Sequence, residues 1–164
     1  MRLARSAAAT AAAVALAVGV LATAPPAAAT PTSYVSDACS SSGNKYCFRL
    51  HYNSRSSQTW VSHSSCFMAN KSVPNAWGYS PNGGASVVRY VFGFFTSACY
   101  DGGGTGDAIY HKAASGSNDD PSHSYHVFSD TNYYGYSTYF PRKDGIAHNL
   151  ESNVKNKNES QRRN

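Results

Sequence analysis

Past residue 45 the chain alternates short apolar or aromatic runs with clusters of Ser, Asn, Gly and Pro. No run keeps a period of about 3.6 residues for the length a helix needs. The segment Tyr46-Cys47-Phe48-Arg49-Leu50-His51-Tyr52 reads as a strand, and Asn53-Ser54-Arg55-Ser56-Ser57 as the turn after it. Gln58-Thr59-Trp60-Val61 is the expected returning strand of a hairpin. From Ser72 to Tyr79 the pattern predicts a loop or an edge strand, because Pro74 has no N–H to give to a ladder. The strongest strand signal is Val87-Val88-Arg89-Tyr90-Val91-Phe92-Gly93-Phe94-Phe95, predicted to cross the core. Asp101 to Asp107 follows as a flexible glycine loop and Ala108-Ile109-Tyr110 as a further short strand. The pattern predicts an all-β protein.

The N-terminal part follows a different pattern. Met1, Arg2 and Arg5 precede an Ala/Val/Leu-rich run from Ala7 to Ala22, and Ala27-Ala28-Ala29 offers a small-residue cleavage site. Residues 1–29 therefore read as a secretory signal peptide rather than a membrane anchor, with Thr30 as the new N-terminus. Thr30 to Asn44 reads as a tethered lead-in, with a turn at Ser40-Ser41-Ser42-Gly43-Asn44. Residues 30–164 suffice for one domain with its own core, and a monomer is expected.

Removing Arg2 and Arg5 with the leader lowers the formal charge from +5 to about +3. The basic residues are scattered, so no nucleic-acid footprint is present, although weak association with an anionic cell wall is compatible with that charge. Cys39, Cys47, Cys66 and Cys99 are even in number, and in an exported chain they imply two disulfides. Three connectivities are possible. The short Cys39 to Cys47 separation favours a local loop, leaving Cys66 with Cys99.

A layout occurs twice along the chain. His51 to Gln58 lies over Phe128 to Gly135, and His111-Lys112-Ala113-Ala114-Ser115 lies over Asn156-Lys157-Asn158-Glu159-Ser160. The first copy, about 46–116, is roughly 30 residues longer than the second, about 125–161, with most of the excess between Ser80 and Asp107.

The pattern Phe128-x4-Tyr133-x-Gly135 with Ser160 closing the unit resembles the Greek-key motif of βγ-crystallin-like domains. The chain from about Cys39 to Ser160 is similar to secreted bacterial proteins grouped with the metalloproteinase-inhibitor type of peptidase inhibitor. The similarity rests on Tyr46-Cys47-Phe48, Ser72-Val73-Pro74-Asn75, Lys112-Ala113-Ala114-Ser115 and the ending Asn149-Leu150 with Asn156 to Ser160. The resemblance implies two Greek-key motifs forming a βγ-crystallin-like sandwich, the first carrying an insertion. Phe128, Tyr133, Gly135, Ser115 and Ser160 would then be structural: Gly135 at positive φ, the aromatics packed over the hairpin, and the serines bonded back onto its backbone. Ser56 and Gln58 depart from the pattern in the first copy, which predicts a looser hairpin there.

Many βγ-crystallin-like domains bind calcium through acidic or amide pairs ahead of the closing serine. Here those positions are His111-Lys112 and Asn156-Lys157, and an ammonium is the wrong charge for a hard cation. No metal site or cofactor is expected, and Asp101 and Asp107 read as loop residues. His123 and His126, near Asp119 and Asp120, read as a surface linker between the halves. The chain has no G-x-S-x-G or H-E-x-x-H motif, so no enzymatic activity is expected.

The expected function is therefore non-enzymatic: binding and blocking an extracellular protease, a metalloprotease above all. The candidate presenting loop is Ser97-Ala98-Cys99-Tyr100, with Phe95 and Tyr100 as pocket-filling side chains. A cell-surface structural or adhesive protein and a secreted antimicrobial toxin are the alternatives.

Overall fold

The computed structural model describes residues 30–39, 46–56, 62–81, 84–95, 99 and 102–164. The expected leader, the Ser40–Asn44 turn and the returning strand Gln58–Val61 lie outside the described residues. The fold is all-β, its only described helical element a short 3-10 turn at Thr131–Tyr133. Among the described residues the strands are, in chain order, β1 Thr32–Val35, β2 Asp37–Ala38, β3 Phe48–His51, β4 Cys66–Ala69, β5 Val87–Tyr90, β6 Ser115–Asn118, β7 Tyr125–Phe128, β8 Ser137–Phe140, β9 His148–Asn149 and β10 Ser160–Arg163.

Two three-stranded units share one register. In the first, β3 is flanked antiparallel by β4 and β6, with Phe48 opposite Ala69 and Asn118, and His51 opposite Cys66 and Ser115. In the second, β7 is flanked by β8 and β10, with Tyr125 opposite Phe140 and Arg163, and Phe128 opposite Ser137 and Ser160. The segment between the second and third strands of each unit, taken in chain order, leaves for the other sheet. β9, which precedes β10 in the chain, pairs with β6. Val73, which precedes β6, pairs with Gln161 of β10, and the Ala76 N–H donates to the Glu159 carbonyl at 2.6 Å.

Register dictates what meets in the core. Phe48 and Tyr125 hold the same position in their units, and their rings stack with centroids 4.6 Å apart and planes 10° from parallel. Phe140 meets Phe48 edge-on at 5.0 Å. Leu50, Phe67, Phe92, Ile109, Val127 and Val154 complete the cluster, all essentially without exposure. At Gly116 a Cβ would lie 2.9 Å from the Phe140 ring, so the residue with no side chain is what lets β6 approach β8.

The two disulfides pair Cys39 with Cys47 and Cys66 with Cys99, closing loops with sequence separations of 8 and 33. On chain entropy the longer contributes about 4 kcal/mol and the shorter about 2.5 kcal/mol. Cys47, Cys66, Met68 and Cys99 form a second buried cluster, with Cys39 and Phe95 packed against it.

Several local expectations need correction. The lead-in from Thr30 is not a loose tether: β1 pairs parallel with β5, and β2 pairs parallel with β4. The long Val87–Phe95 strand ends at Tyr90, and β5 is half-buried in a two-stranded sheet rather than crossing the core. The chain beyond it still reaches the core through Phe92, and Gly93 pairs with Cys66 against Ser36, leaving no space for a regular pleat. β3 takes Cys66–Ala69 as its antiparallel neighbour, a strand not foreseen in the sequence. Ala108–Tyr110 is not a strand; Ala108 makes one bridge to Val91 and Ile109 turns into the core. The described part of the glycine loop, 102–107, is held by backbone bonds, Gly106 N–H to Phe92 O at 2.8 Å and Ser65 N–H to Gly103 O at 3.2 Å. His126 belongs to β7, not to a linker, and His123 bonds to the buried Asp120.

Candidate functional site

At the second hairpin Phe128 and Tyr133 meet edge-to-face, with centroids 6.1 Å apart. Gly135 has φ +80°, and a Cβ there would fall 2.3 Å from the Ser129 hydroxyl and 2.7 Å from an Asp130 carboxylate oxygen. Asn132 and Tyr133 are also left-handed, with φ 56° and 69°. This costly backbone is held by Ser160, whose hydroxyl donates to the Asp130 carbonyl at 2.6 Å and accepts the Tyr133 N–H at 3.0 Å. In the first unit Ser115 donates in the same way to the Asn53 carbonyl at 2.7 Å. Gln58 lies outside the described residues, and Ser56 is exposed.

The closing loops match as closely. His111 and Asn156 both take positive φ, 58° and 54°. The His111 N–H donates to Asn158 O at 3.1 Å and the Asn156 N–H to Ala113 O at 2.9 Å, two bonds that tie the loops together. Asn158 is buried and reinforces the junction, donating from Nδ2 to Ile109 O and accepting the Ala113 N–H. Of the four side chains in the calcium positions, Lys112 pairs with Asp107 at 3.0 Å and His111 with Glu159 at 2.8 Å. Among the described residues no group of three or more His, Cys, Asp or Glu side chains is arranged to hold a metal ion.

Phe95 and Cys99 are brought together. The Cys99 N–H donates to the Phe95 carbonyl at 2.8 Å, Phe95 packs on the sulfur cluster, and the Cys66–Cys99 bond ties Cys99 to β4. Ala98 and Tyr100 lie outside the described residues. The side chain presented to solvent is Phe94, 50 % exposed. The sequence points to Phe95 instead, and strand alternation does not separate the two, because it would put Phe94 on the face of the buried Tyr90 and Phe92; the regular strand has ended at Tyr90.

A second constellation went unnoticed in the sequence. Glu159 accepts from the Tyr110 hydroxyl and His111 Nε2 at Oε1, both 2.8 Å, and from the Thr131 N–H at Oε2 at 3.2 Å. Burial alone would raise the carboxyl's pKa; the bonds from Tyr110 and His111 outweigh it and hold it below the usual range. The same bond raises the Tyr110 phenol. Beside them Asn75, Trp77, Tyr110 and Thr131 line a pocket of about 380 Å³. Trp77 is 48 % exposed, its ring 5.6 Å from Tyr110, with the Arg89 guanidinium 5.0 Å above it.

Two buried ionisable groups lie elsewhere. Asp120 receives Arg163 through Nε and Nη2 at 3.0 and 2.8 Å, as well as the N–H groups of Ser122 and His123. His51 is buried and shares a 3.1 Å hydrogen bond with Ser117. Burial first, and the Arg49 charge second, push His51 from 6.5 down to about 3.

No family model and no curated protein matches the chain. A solved structure, that of IPSE/alpha-1 from Schistosoma mansoni eggs, is similar at 18 % identity over 73 % of this chain and 84 % of that one, with a TM-score of 0.37. A likeness that loose bears on neither fold nor function. Among the described residues no helix is long and apolar enough to cross a membrane.

Two outcomes follow from this geometry. Gly135→Val should cost at least about 2 kcal/mol, from positive φ and the clash with Ser129 and Asp130, read as a fall in the urea midpoint. An unchanged melting temperature would contradict the packing described. The second concerns acid. The unfolded chain protonates its His51 near pH 6.5 and the folded chain only near 3, so the stabilisation is full above 6.5 and drains as pH falls through that window. The limiting slope is about 1.4 kcal/mol per pH unit. His126, lowered by burial and then by Arg162, adds in the same sense, whereas Asp120 and Glu159, both lowered, lose their contribution only at more acid pH. Urea titrations from neutral pH to about pH 5 should show this fall, and His51→Gln should flatten it.

Proposed function

We propose that the chain is an exported, non-catalytic binding protein that blocks an extracellular protease by presenting Phe94 beside the Cys66–Cys99 disulfide. The fold we assign to it is a βγ-crystallin-like sandwich of two Greek-key motifs, residues 46–116 and 125–161. That assignment draws on the shared register of the two units, the exchange of their third segments and the paired serine closures. Export, and the metalloproteinase-inhibitor type of peptidase inhibitor as the family, rest on the leader, the two disulfides and the motifs that carry the resemblance.

The observation that carries the functional reading is the exposed Phe94, next to Phe95, whose carbonyl accepts the N–H of the disulfide-bonded Cys99. An apolar side chain on a backbone that is already ordered loses little entropy on entering a cleft, which is what a tight inhibitor needs. Gly93 on the other flank is fixed by reciprocal bonds with Cys66 at 2.9 and 2.8 Å.

The test is a panel of thermolysin-like and subtilisin-like proteases titrated with stoichiometric protein. At least one enzyme should be inhibited, and Phe94→Ala should weaken that inhibition by about tenfold or more with the melting temperature unchanged. Full activity of every protease in the panel would remove the proposal.

A further inference from the structure

Two pockets lie near corresponding places in the two halves, and they differ in a way that points to a ligand. One is lined by Asn75, Trp77, Tyr110 and Thr131, with Glu159 beside it, bonded to Tyr110 and Thr131. The other, about 480 Å³, has Lys155 and Ser54 at the positions of Tyr110 and Thr131, and Ala114 at the position that corresponds to Glu159. Of the two, only the first has a fixed carboxylate beside its aromatic surface.

The Trp77 pocket is built before any ligand arrives. The Asn75 carboxamide oxygen accepts the Trp77 N–H at 2.9 Å, the Asn75 carbonyl accepts the Gly78 N–H at 3.0 Å, and the Ala76 N–H donates to the carbonyl of Glu159, the residue before β10. Tyr110 is held between the Trp77 ring and the His111 ring, which stacks on it at 3.8 Å. Glu159 has three donors already placed, which fix its rotamer and leave a lone pair on Oε2. Its carboxylate is already hydrogen-bonded by Tyr110, His111 and Thr131, and the Arg89 guanidinium lies over the indole, so both charged groups are engaged within the protein.

We propose that this pocket binds a neutral saccharide, with a pyranose ring packed on Trp77 and Tyr110 and its hydroxyls taken up by Glu159 Oε2, Thr131 and the Asn75 amide. Sugar rings present an apolar C–H face and a rim of hydroxyl groups. Recognising both needs a half-exposed aromatic surface beside planar polar side chains that cannot swing away. The volume lies within the range of small-ligand pockets. None of these residues belongs to the Phe94 surface, so this site stands or falls apart from the protease reading.

The test uses the whole mature chain mixed with insoluble chitin, cellulose, starch and peptidoglycan, followed by pelleting at low and high salt. At least one polysaccharide should deplete the protein at both salt concentrations. A soluble oligosaccharide of the same sugar should compete and should perturb tryptophan fluorescence. Trp77→Ala should lower retention by about tenfold or more, Thr131→Val by a few-fold, and Trp77→Phe, which keeps a ring, by less than Trp77→Ala. Tyr79→Ala removes another half-exposed aromatic outside the pocket and should bind as wild type. The proposal is overturned if no polysaccharide retains the protein, if high salt abolishes retention, or if Trp77→Ala binds as well as wild type with an unchanged melting temperature. Loss of binding in Tyr79→Ala equal to that in Trp77→Ala would likewise overturn it, because the effect would then belong to exposed aromatics in general.

Discussion

The N–H groups of Val73, Ala76 and Leu150 donate to the carbonyls of Gln161, Glu159 and Ala114, so each half of the chain finishes the sheet of the other. Without that exchange, β6 and β10 would each carry an open edge of unpaired backbone groups. The exchange also decides what lies between the halves. Phe48 stacks on Tyr125, and the closing loops bond to each other through His111, Ala113, Asn156 and Asn158. The left-handed backbone at His111 and Asn156 is the cost of turning both loops into one junction, and it persists because both N–H groups are satisfied there.

A scaffold of this kind separates structure from recognition. The residues that the duplication repeats, Ser115 and Ser160 above all, are occupied with backbone groups and have little left for a ligand. The recognition surfaces lie where the halves differ. One difference is the stretch between Ala76 and Ile109, which carries β5, Phe94 and Cys99, while its counterpart between Leu150 and Val154 is a single turn. The other is the substitution of Ala114 for Glu159 and Lys155 for Tyr110 across the paired pockets. Protease blocking and saccharide binding, as proposed, draw on these two differences respectively.

The all-β class, the place of the longer half's extra residues and the two-disulfide content were legible because each has a local signal: turn clusters, a repeat, an even cysteine count. Phe128, Tyr133 and Gly135 could be placed because their spacing within one hairpin is short, and Ser160 only through the resemblance to a motif that closes on a serine. What the sequence hid is non-local. The pairing of Thr32–Val35 with Val87–Tyr90 joins segments far apart in the chain, and Ser, Thr and Tyr after a proline read as a lead-in until a partner edge is known. The early end of the Val87–Phe95 run depends on Gly93 meeting Ser36. Glu159 and Trp77 look like ordinary surface residues in the sequence. Their interest arises only when the exchange brings residues 73–77 against β10 and the closing loop.

Native-state hydrogen exchange on the full chain tests the exchange of segments most directly. The amides of Val73, Ala76, Leu150 and Gln161, which bridge the halves, should exchange at the same free energy as Leu50 and Val127 in the central strands, and all should fall together as urea is added. Exchange of Val73 and Gln161 at a distinctly lower free energy than Leu50 and Val127 would mean that the halves open independently, and would contradict a fold in which each completes the other.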